Sequence, residues 1–283
     1  MKNFKKILKF LGWFVSVLFL SLYILFYYFT SPKSNEKVLA EFKDLKIKPI
    51  LTEESFKDFE YRKLTFKKDT ALPTVIFVHG TIGSCLDFKE YIKDKELASK
   101  ANFISYDRVG YNYKDKNNVQ ESIAFEVDLL EDLLKDLPKE KVVLVGYSYG
   151  GPIALAVKNK YKGILLLAPA VFSKVEPMPW MINLYNWKIT RWLVPPVWKQ
   201  ASKEKLSHKK DLQKFEKTWK YNLNSVTSIH GDNDAIVPIE NSKYLETQFS
   251  KAQFELMVLK NAGHGLIWSK FDFIKQQLLN NLD

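Results

Sequence analysis

Residues 141–151 read KVVLVGYSYGG. An apolar, β-branched run, Val142-Val143-Leu144-Val145, enters a G-x-S-x-G pentapeptide from Gly146 to Gly150, and residues 153–157 leave it with helix-compatible composition. That is strand, sharp turn, helix. Such a turn needs glycines, because a serine held at strained backbone angles tolerates no side chain colliding with it from either end. The hydroxyl of Ser148 is thereby pushed out to where a histidine can reach it. Glycine and serine are common, so the pentapeptide alone is also an ordinary turn. The rest of the chain must supply the partners.

Outward from this stretch the same alternation recurs. Upstream, residues 59–66 alternate like a half-exposed strand, residues 74–78 (TVIFV) run apolar into His79-Gly80, and residues 102–106 run into Asp107-Arg108 before a helix near 119–137. Downstream come a helix to about residue 161, strands at 163–167 and 226–229, a helix at 241–249, a strand at 254–259 and a closing helix at 267–282. Short apolar strands separated by amphipathic helices predict an α/β fold, a mostly parallel sheet covered by helices on both faces. Such sheets place ligands at the carboxyl ends of their strands, where His79-Gly80, Asp107-Arg108 and Tyr147-Ser148 all lie.

The chain of 283 residues is 46% hydrophobic and 27% charged, which suits one globular domain plus an accessory element and excludes a disordered chain. The net charge of +11 is compatible with nucleic acid, an anionic membrane surface or acidic ligands. No cysteine/histidine finger spacing and no RNP-type aromatic signature accompanies it, so nucleic acid is not expected. A single cysteine, Cys85, excludes an intrachain disulfide and a multi-cysteine zinc site, and is expected as a buried small residue.

The accessory element is N-terminal. Lys2, Lys5, Lys6 and Lys9 precede residues 10–29, which carry no charge. At about 1.5 Å per residue this run spans roughly 30 Å as a helix, the thickness of a bilayer core. A cleavable signal would have an apolar region of about 7 to 15 residues and a small-x-small site, whereas Tyr27, Tyr28 and Phe29 stand at the exit, where interfacial aromatics sit. Residues 1–30 are therefore expected to be an uncleaved anchor, with the N-terminus inside and the domain extracytoplasmic. Lys33, Lys37, Lys43, Lys46 and Lys48 on the far side oppose that orientation. Residues 31–57 read as a tether with a short helix, and 58–170 with 223–283 as the α/β core.

Residues 171–222 break the alternation. They hold five of the seven tryptophans, Trp180, Trp187, Trp192, Trp198 and Trp219, a Pro195-Pro196 break and a large lysine excess. This is read as a helical lid inserted after the sixth strand. Its tryptophans either pack a small subdomain or form an inner face that receives an apolar substrate group, while the basic outer face rests on anionic headgroups. Trp180, Trp187, Trp192 and Trp198 are the candidate substrate-facing residues.

An unassisted serine is a poor nucleophile at neutral pH and needs a base, oriented in turn by an acid. Of four histidines, His208 lies in the lysine-rich insertion and is expected as a solvated surface residue. His79 ends a strand before a glycine, where the backbone beyond it is the expected functional element, and His230 ends the penultimate strand, where a structural hydrogen bond is expected. His264, on a glycine-flanked loop after the last strand, is where an imidazole can swing over the sheet.

With these loops located, the sequence resembles the α/β-hydrolase fold serine hydrolases of the esterase and lipase type, from about residue 55 to the end. GYSYGG (146–151) resembles their nucleophile elbow, HGTIGS (79–84) their oxyanion loop, DNDAIVP (232–238) their acid loop and NAGHG (261–265) their histidine loop, in the family's order. The resemblance implies Ser148 as nucleophile, His264 as general base and then acid, Asp234 as the acid fixing the imidazole, and the backbone N–H groups of Thr81 and Tyr149 as the oxyanion hole. Asp232 competes with Asp234. The family's acid stands three residues after a glycine, which favours Asp234, three after Gly231. A calcium loop is excluded, because Val237 and Lys243 stand where such a loop needs glycine and glutamate. Asp107 resembles a loop-organising family position, and Arg108 departs from the commoner arginine spacing there.

The expected activity is hydrolysis of carboxylic esters, lipid-derived ones by virtue of the anchor and aromatic insertion, with no cofactor and no metal. The same triad also serves amidases, peptidases, thioesterases and carbon–carbon bond hydrolases, and the fold also serves as a tethered binding module without turnover.

Overall fold

The computed structural model describes residues 2–114 and 120–282, with side chains from Phe4 onward. Among the described residues, eight strands form one sheet: β1 (Ile50–Phe56), β2 (Phe59–Phe66), β3 (Thr74–Val78), β4 (Asn102–Tyr106), β5 (Val142–Tyr147), β6 (Gly163–Leu167), β7 (Val226–Gly231) and β8 (Phe254–Leu259). Their order is β1-β2-β4-β3-β5-β6-β7-β8. The pairs β1/β2 and β2/β4 are antiparallel. From β4 across to β8 every pair is parallel. The mostly parallel α/β sheet read from the apolar runs is present, and β5 sits between β3 and β6 in its middle.

Burial on both faces explains those runs. β4, β5 and β6 are buried along their whole length, and side chains alternate between two cores. Val75, Phe77, Val143, Val145, Leu165 and Leu167 meet one set of helices. Ile76, Val78, Val142, Leu144, Ile164 and Leu166 meet the other. The longer helices are α1 (Lys2–Thr30), α2 (Ile123–Leu134), α3 (Gly150–Leu155), α4 (Pro196–Phe215), α5 (Glu240–Gln248) and α6 (Phe271–Leu282). On the first face α6 supplies Ile274, Leu278, Leu279 and Leu282. On the second, α2 supplies Ile123, Val127, Leu130 and Leu134, and α3 supplies Ile153, Ala154 and Leu155.

Three differences from the sequence reading concern local signals. The segment read as a tether contains β1, paired with β2 from Ile50↔Thr65 to Phe56↔Phe59. β1 is an edge strand, half exposed and carrying Thr52-Glu53-Glu54 at its centre, so it shows neither a continuous apolar run nor clean alternation. Helix α2 begins at Ile123, where the Ser122 hydroxyl accepts the Phe125 N–H at 3.4 Å, rather than near 119, a position outside the described residues. The helix after Ser148 ends at Leu155 instead of about 161.

Between β6 and β7 the chain makes short turns at Ser173–Val175, Trp180–Ile182, Asn183–Asn186 and Arg191–Leu193, then the long helix α4 and a last turn at Trp219–Tyr221. Pro196 takes the first helical position of α4, where its missing N–H costs nothing. Helix α1 contains the stretch Phe4–Thr30, whose mean hydropathy of 2.1 and length suffice to cross a membrane. None of its most apolar window is buried against the domain, but near its end the Phe26 ring lies 5.6 Å from that of Trp198 on α4.

Candidate active site

Ser148 follows β5 with φ of +53°, the left-handed region that an ordinary residue enters only when its surroundings hold it there. Its N–H donates to the Leu167 carbonyl at 2.9 Å, and its own carbonyl accepts from the Gly151 N–H at 2.9 Å and the Ala170 N–H at 3.1 Å. Two glycines make the turn possible. A Cβ on Gly146 would stand 2.6 Å from the Gly150 carbonyl oxygen, and one on Gly150 would collide with the Val78 carbonyl on β3.

Across the carboxyl end of the sheet, His264 Nε2 lies 3.0 Å from Ser148 Oγ, and its Nδ1 lies 2.8 Å from Asp234 Oδ2. A carboxylate only accepts, so Nδ1 carries the proton and Nε2 is free to accept from the serine hydroxyl. The other oxygen of Asp234 accepts the N–H groups of Ile236 and Val237, both at 2.9 Å. Burial pushes the Asp234 carboxyl upward, but the His230 imidazole 3.6 Å away and hydrogen bonds from His264 and the Val237 N–H outweigh it and hold the group below the ordinary carboxylate range. His230 is fully buried, with Nδ1 2.7 Å from Ser242 Oγ and Nε2 donating to the Val237 carbonyl at 2.9 Å. Asp232 points elsewhere: it accepts the Asn261 N–H at 2.8 Å and so ties the acid loop to the histidine loop.

Tyr147, named at its strand end but given no role from the sequence, braces His264. The Tyr147 ring stacks on the imidazole at 5.1 Å, its hydroxyl donates to the His264 carbonyl at 3.0 Å, and Trp268 covers its other side, edge on, at 6.0 Å. Its place beside Ser148 at a strand end was the available signal.

The loop after β3 holds His79, Gly80, Thr81 and Ile82, the last at φ of +59° despite its branched Cβ. His79 Nε2 accepts the Arg108 N–H at 2.9 Å, so Nδ1 carries the proton and donates to the Gly80 carbonyl at 2.7 Å. Burial, then the Arg108 charge, push this imidazole well below its ordinary pKa. Arg108 is fully buried beneath the loop. It donates to the carbonyls of His79 (3.1 Å) and Gly80 (3.3 Å) and forms a two-point pair with Glu204 of α4 at 2.8 and 3.1 Å. Glu204 also accepts from Tyr111 at 2.7 Å, Gln200 at 2.9 Å and the Thr81 hydroxyl at 3.2 Å. Asp107 behaves as a loop organiser, accepting the Cys85 N–H at 2.6 Å and pairing with Arg62 at 2.5 Å. Cys85 is buried.

The expectation for His208 is corrected. It is 1% exposed, with Nε2 donating to the Ala170 carbonyl at 3.1 Å and its ring 4.7 Å from that of Tyr149. The cause is the face of α4 on which it lies: Val197, Ala201, Glu204, His208, Asp211 and Leu212 are all buried, at three- and four-residue spacing, while Lys209 and Lys210 are exposed. Glu204 and His208 standing four apart on that apolar stripe was the legible signal. Of the tryptophans, Trp180 and Trp192 are 74% and 71% exposed, Trp187 is exposed, Trp198 is half-buried and Trp219 is buried.

A cavity of about 360 Å³ lies near the end of α1, bounded on its apolar side by Phe29, Pro32, Ile82, Tyr111, Val197 and Trp268 and on its polar side by Lys33, Arg62, Ser84, Asp87 and Lys89. A larger one of about 570 Å³, against Leu45, Phe66, Ala98 and Phe103, adjoins the amino end of β4, away from Ser148.

Comparison with known proteins agrees with this architecture. A Mycoplasma pneumoniae protein provisionally named esterase/lipase 2 is 31% identical over 109 residues, 37% of this chain and 40% of that relative. The match thus spans about two fifths of the length of that curated protein. A bacterial membrane phospholipase A superposes with a TM-score of 0.65 at 14% identity, covering 97% of this chain and 98% of the other. A meta-cleavage product hydrolase from Pseudomonas fluorescens gives 0.60 at 17% identity, covering 81% and 96%. At such identities these structures speak to the fold alone. The model of the alpha/beta hydrolase family matches residues 75–270, the greater part of the sheet with both the elbow and the histidine loop, and the chain belongs to that family.

Proposed function

We propose that this hydrolase cleaves carboxylic esters with an apolar acyl group through an acyl-enzyme on Ser148, held at a membrane by residues 10–30 with its domain on the extracytoplasmic side. The observation that carries the reading is the continuous hydrogen-bonded line Ser148–His264–Asp234 at 3.0 and 2.8 Å. As Ser148 Oγ attacks the ester carbonyl, His264 Nε2 takes its proton and Asp234 stabilises the imidazolium. The proton then passes to the departing alcohol, and a water repeats the sequence to release the acid. Negative charge developing on the carbonyl oxygen falls to the N–H groups of Thr81 and Tyr149, neither of which has a backbone acceptor among the described residues.

Apolar surface supports the substrate class. Ile82 adjoins Thr81, Trp268 backs Tyr147, and both Ile82 and Trp268 line the cavity at the end of α1. Helix α1 supports the anchor by length and composition, and the lysines ahead of it support an internal N-terminus.

The test uses the full chain in detergent or vesicles. A fluorophosphonate probe should label the native protein and not Ser148→Ala. Esters, thioesters and amides sharing one acyl chain then identify the bond cleaved. Absence of labelling would point to a binding protein on this fold, and preference for short soluble esters over long-chain ones would remove the apolar acyl group.

A further inference from the structure

We infer that residues 178–193 of the insertion form a second membrane contact, seated at the headgroup level of the leaflet from which helix α1 emerges. The inference rests on the reading of α1 as an anchor. Eight large apolar side chains stand in the open within these sixteen residues: Met178, Trp180, Met181, Leu184, Trp187, Ile189, Trp192 and Leu193. Trp180, Ile189 and Trp192 are 74%, 81% and 71% exposed, so this is a projecting apolar face rather than the rim of a core. Short turns stiffen it from within. Arg191 donates to the carbonyls of Tyr185 and Asn186 at 2.7 and 3.1 Å, the Thr190 hydroxyl to that of Leu184 at 2.8 Å, and Trp192 Nε1 to that of Ile189 at 2.9 Å. The segment holds its own shape while its side chains point outward.

Two observations name a bilayer as the occupant. The first is depth. Phe26, one helical turn inside the end of the apolar stretch Phe4–Thr30, touches Trp198, and Phe29 shares a cavity wall with Val197. With α1 in a membrane, the start of α4 is therefore level with the interface, and the turns leading into it lie beside that interface, where tryptophan is favoured. The second is charge. No acidic residue stands between Glu176 and Glu204, whereas Lys188, Arg191, Lys199 and Lys203 do. Cations beside exposed tryptophan, isoleucine and methionine suit an anionic leaflet. A second copy of the same surface would instead set Lys188 and Arg191 against their own copies.

The consequence for function is orientation. An anchor alone leaves the domain free to swivel, whereas a second contact fixes the cavity beside Phe29 and Ile82 against the leaflet, so that an acyl chain need not cross water to reach it.

The experiment places an environment-sensitive nitrobenzoxadiazole label on the full-length protein in phosphatidylglycerol/phosphatidylcholine vesicles. Cys85 is buried, so single cysteines at Ile189→Cys, Phe19→Cys within α1 and Lys251→Cys at the amino end of β8 take the label selectively. Quenching by nitroxide-bearing lipids should remove most of the emission at 189 and at 19 and little at 251, with iodide in the aqueous phase giving the reverse order. Lipid quenching at 19 with only iodide quenching at 189 overturns the inference and leaves the anchor standing. Iodide quenching at both overturns the anchor and the inference together. A label at 189 shielded from both quenchers, in a protein that cross-links as a dimer, assigns the face to a second copy and also overturns it.

Discussion

Arg108 and Glu204 form a buried two-point ion pair, 2.8 and 3.1 Å, that links helix α4 of the insertion to the underside of the loop after β3. The same guanidinium, with His79 Nδ1, binds the Gly80 carbonyl. A trans peptide is planar, with its C=O and N–H on opposite edges, so fixing the Gly80 oxygen downward aims the Thr81 N–H up towards Ser148. The pair is thus a positioning device for a proposed oxyanion donor. Arg108→Lys keeps a charge but loses the fork, and kcat should fall by about 10²-fold, the order seen for loss of one such donor, with KM changing little. Arg108→Met leaves Glu204 buried and unpaired and should cost about 3–5 kcal/mol. Adding Glu204→Leu should restore much of that stability in denaturant titration without restoring kcat. Recovery of both would show that the pair serves folding alone.

Asp234 and Asp232 should separate cleanly. Asp234→Asn removes the group that fixes the His264 tautomer, and kcat should drop on the order of 10⁴-fold. Asp232→Asn loses only the link to the Asn261 N–H and should change kcat by less than about tenfold. Steady-state kinetics on both variants, with near-ultraviolet circular dichroism to confirm folding, decides it; equal losses would contradict the assignment.

Tyr147 offers a graded test of how the imidazole is held. Tyr147→Phe keeps the stacked ring and gives up one hydrogen bond, worth about 0.5–1.5 kcal/mol. Tyr147→Ala also removes the ring lying 5.1 Å from His264. Turnover should fall modestly in the first and much further in the second, and equal activity in the two would show that the ring does not support His264.

Stability should decline with rising pH through a buried carboxyl beside Arg108. Glu126 is 1% exposed, 3.6 Å from Arg108, and neither of its oxygens has a hydrogen-bond partner among the described residues. Burial raises its pKa from 4.5 to about 8; the charge of Arg108 opposes that rise and the charge of Glu204 adds to it. Between those values the folded state holds a proton that the unfolded state has released. This contribution is therefore fully present below about 4.5 and is lost as pH rises towards 8, at a limit of about 1.4 kcal/mol per unit. Glu126→Gln, which cannot ionise, should flatten the curve of denaturation midpoint against pH between 5 and 8. An unchanged slope would place the proton elsewhere.

The architecture was legible in the chain because it depends on local composition. Runs such as VIFV and VVLV have no polar position to offer solvent, so they read as strands covered on both faces, and whatever follows them lies at one end of a parallel sheet. Glycines at 146 and 150 likewise announced a turn that a Cβ would block. Helix α1 was legible for the same reason, twenty uncharged residues needing no partner to be recognised.

What only the tertiary structure decided were choices between distant partners. β1 is a strand because β2 offers it an edge, not because its own residues insist. His208 is buried because α4 turns that face inward, a rotation set by Glu204 finding Arg108 ninety-six residues away. Composition counted the tryptophans of the insertion but could not aim them: Trp180 and Trp192 stand exposed while Trp219 is buried. A sequence states which side chains must leave water. Which of them reach the interior first, and which stay exposed, is settled by packing in three dimensions.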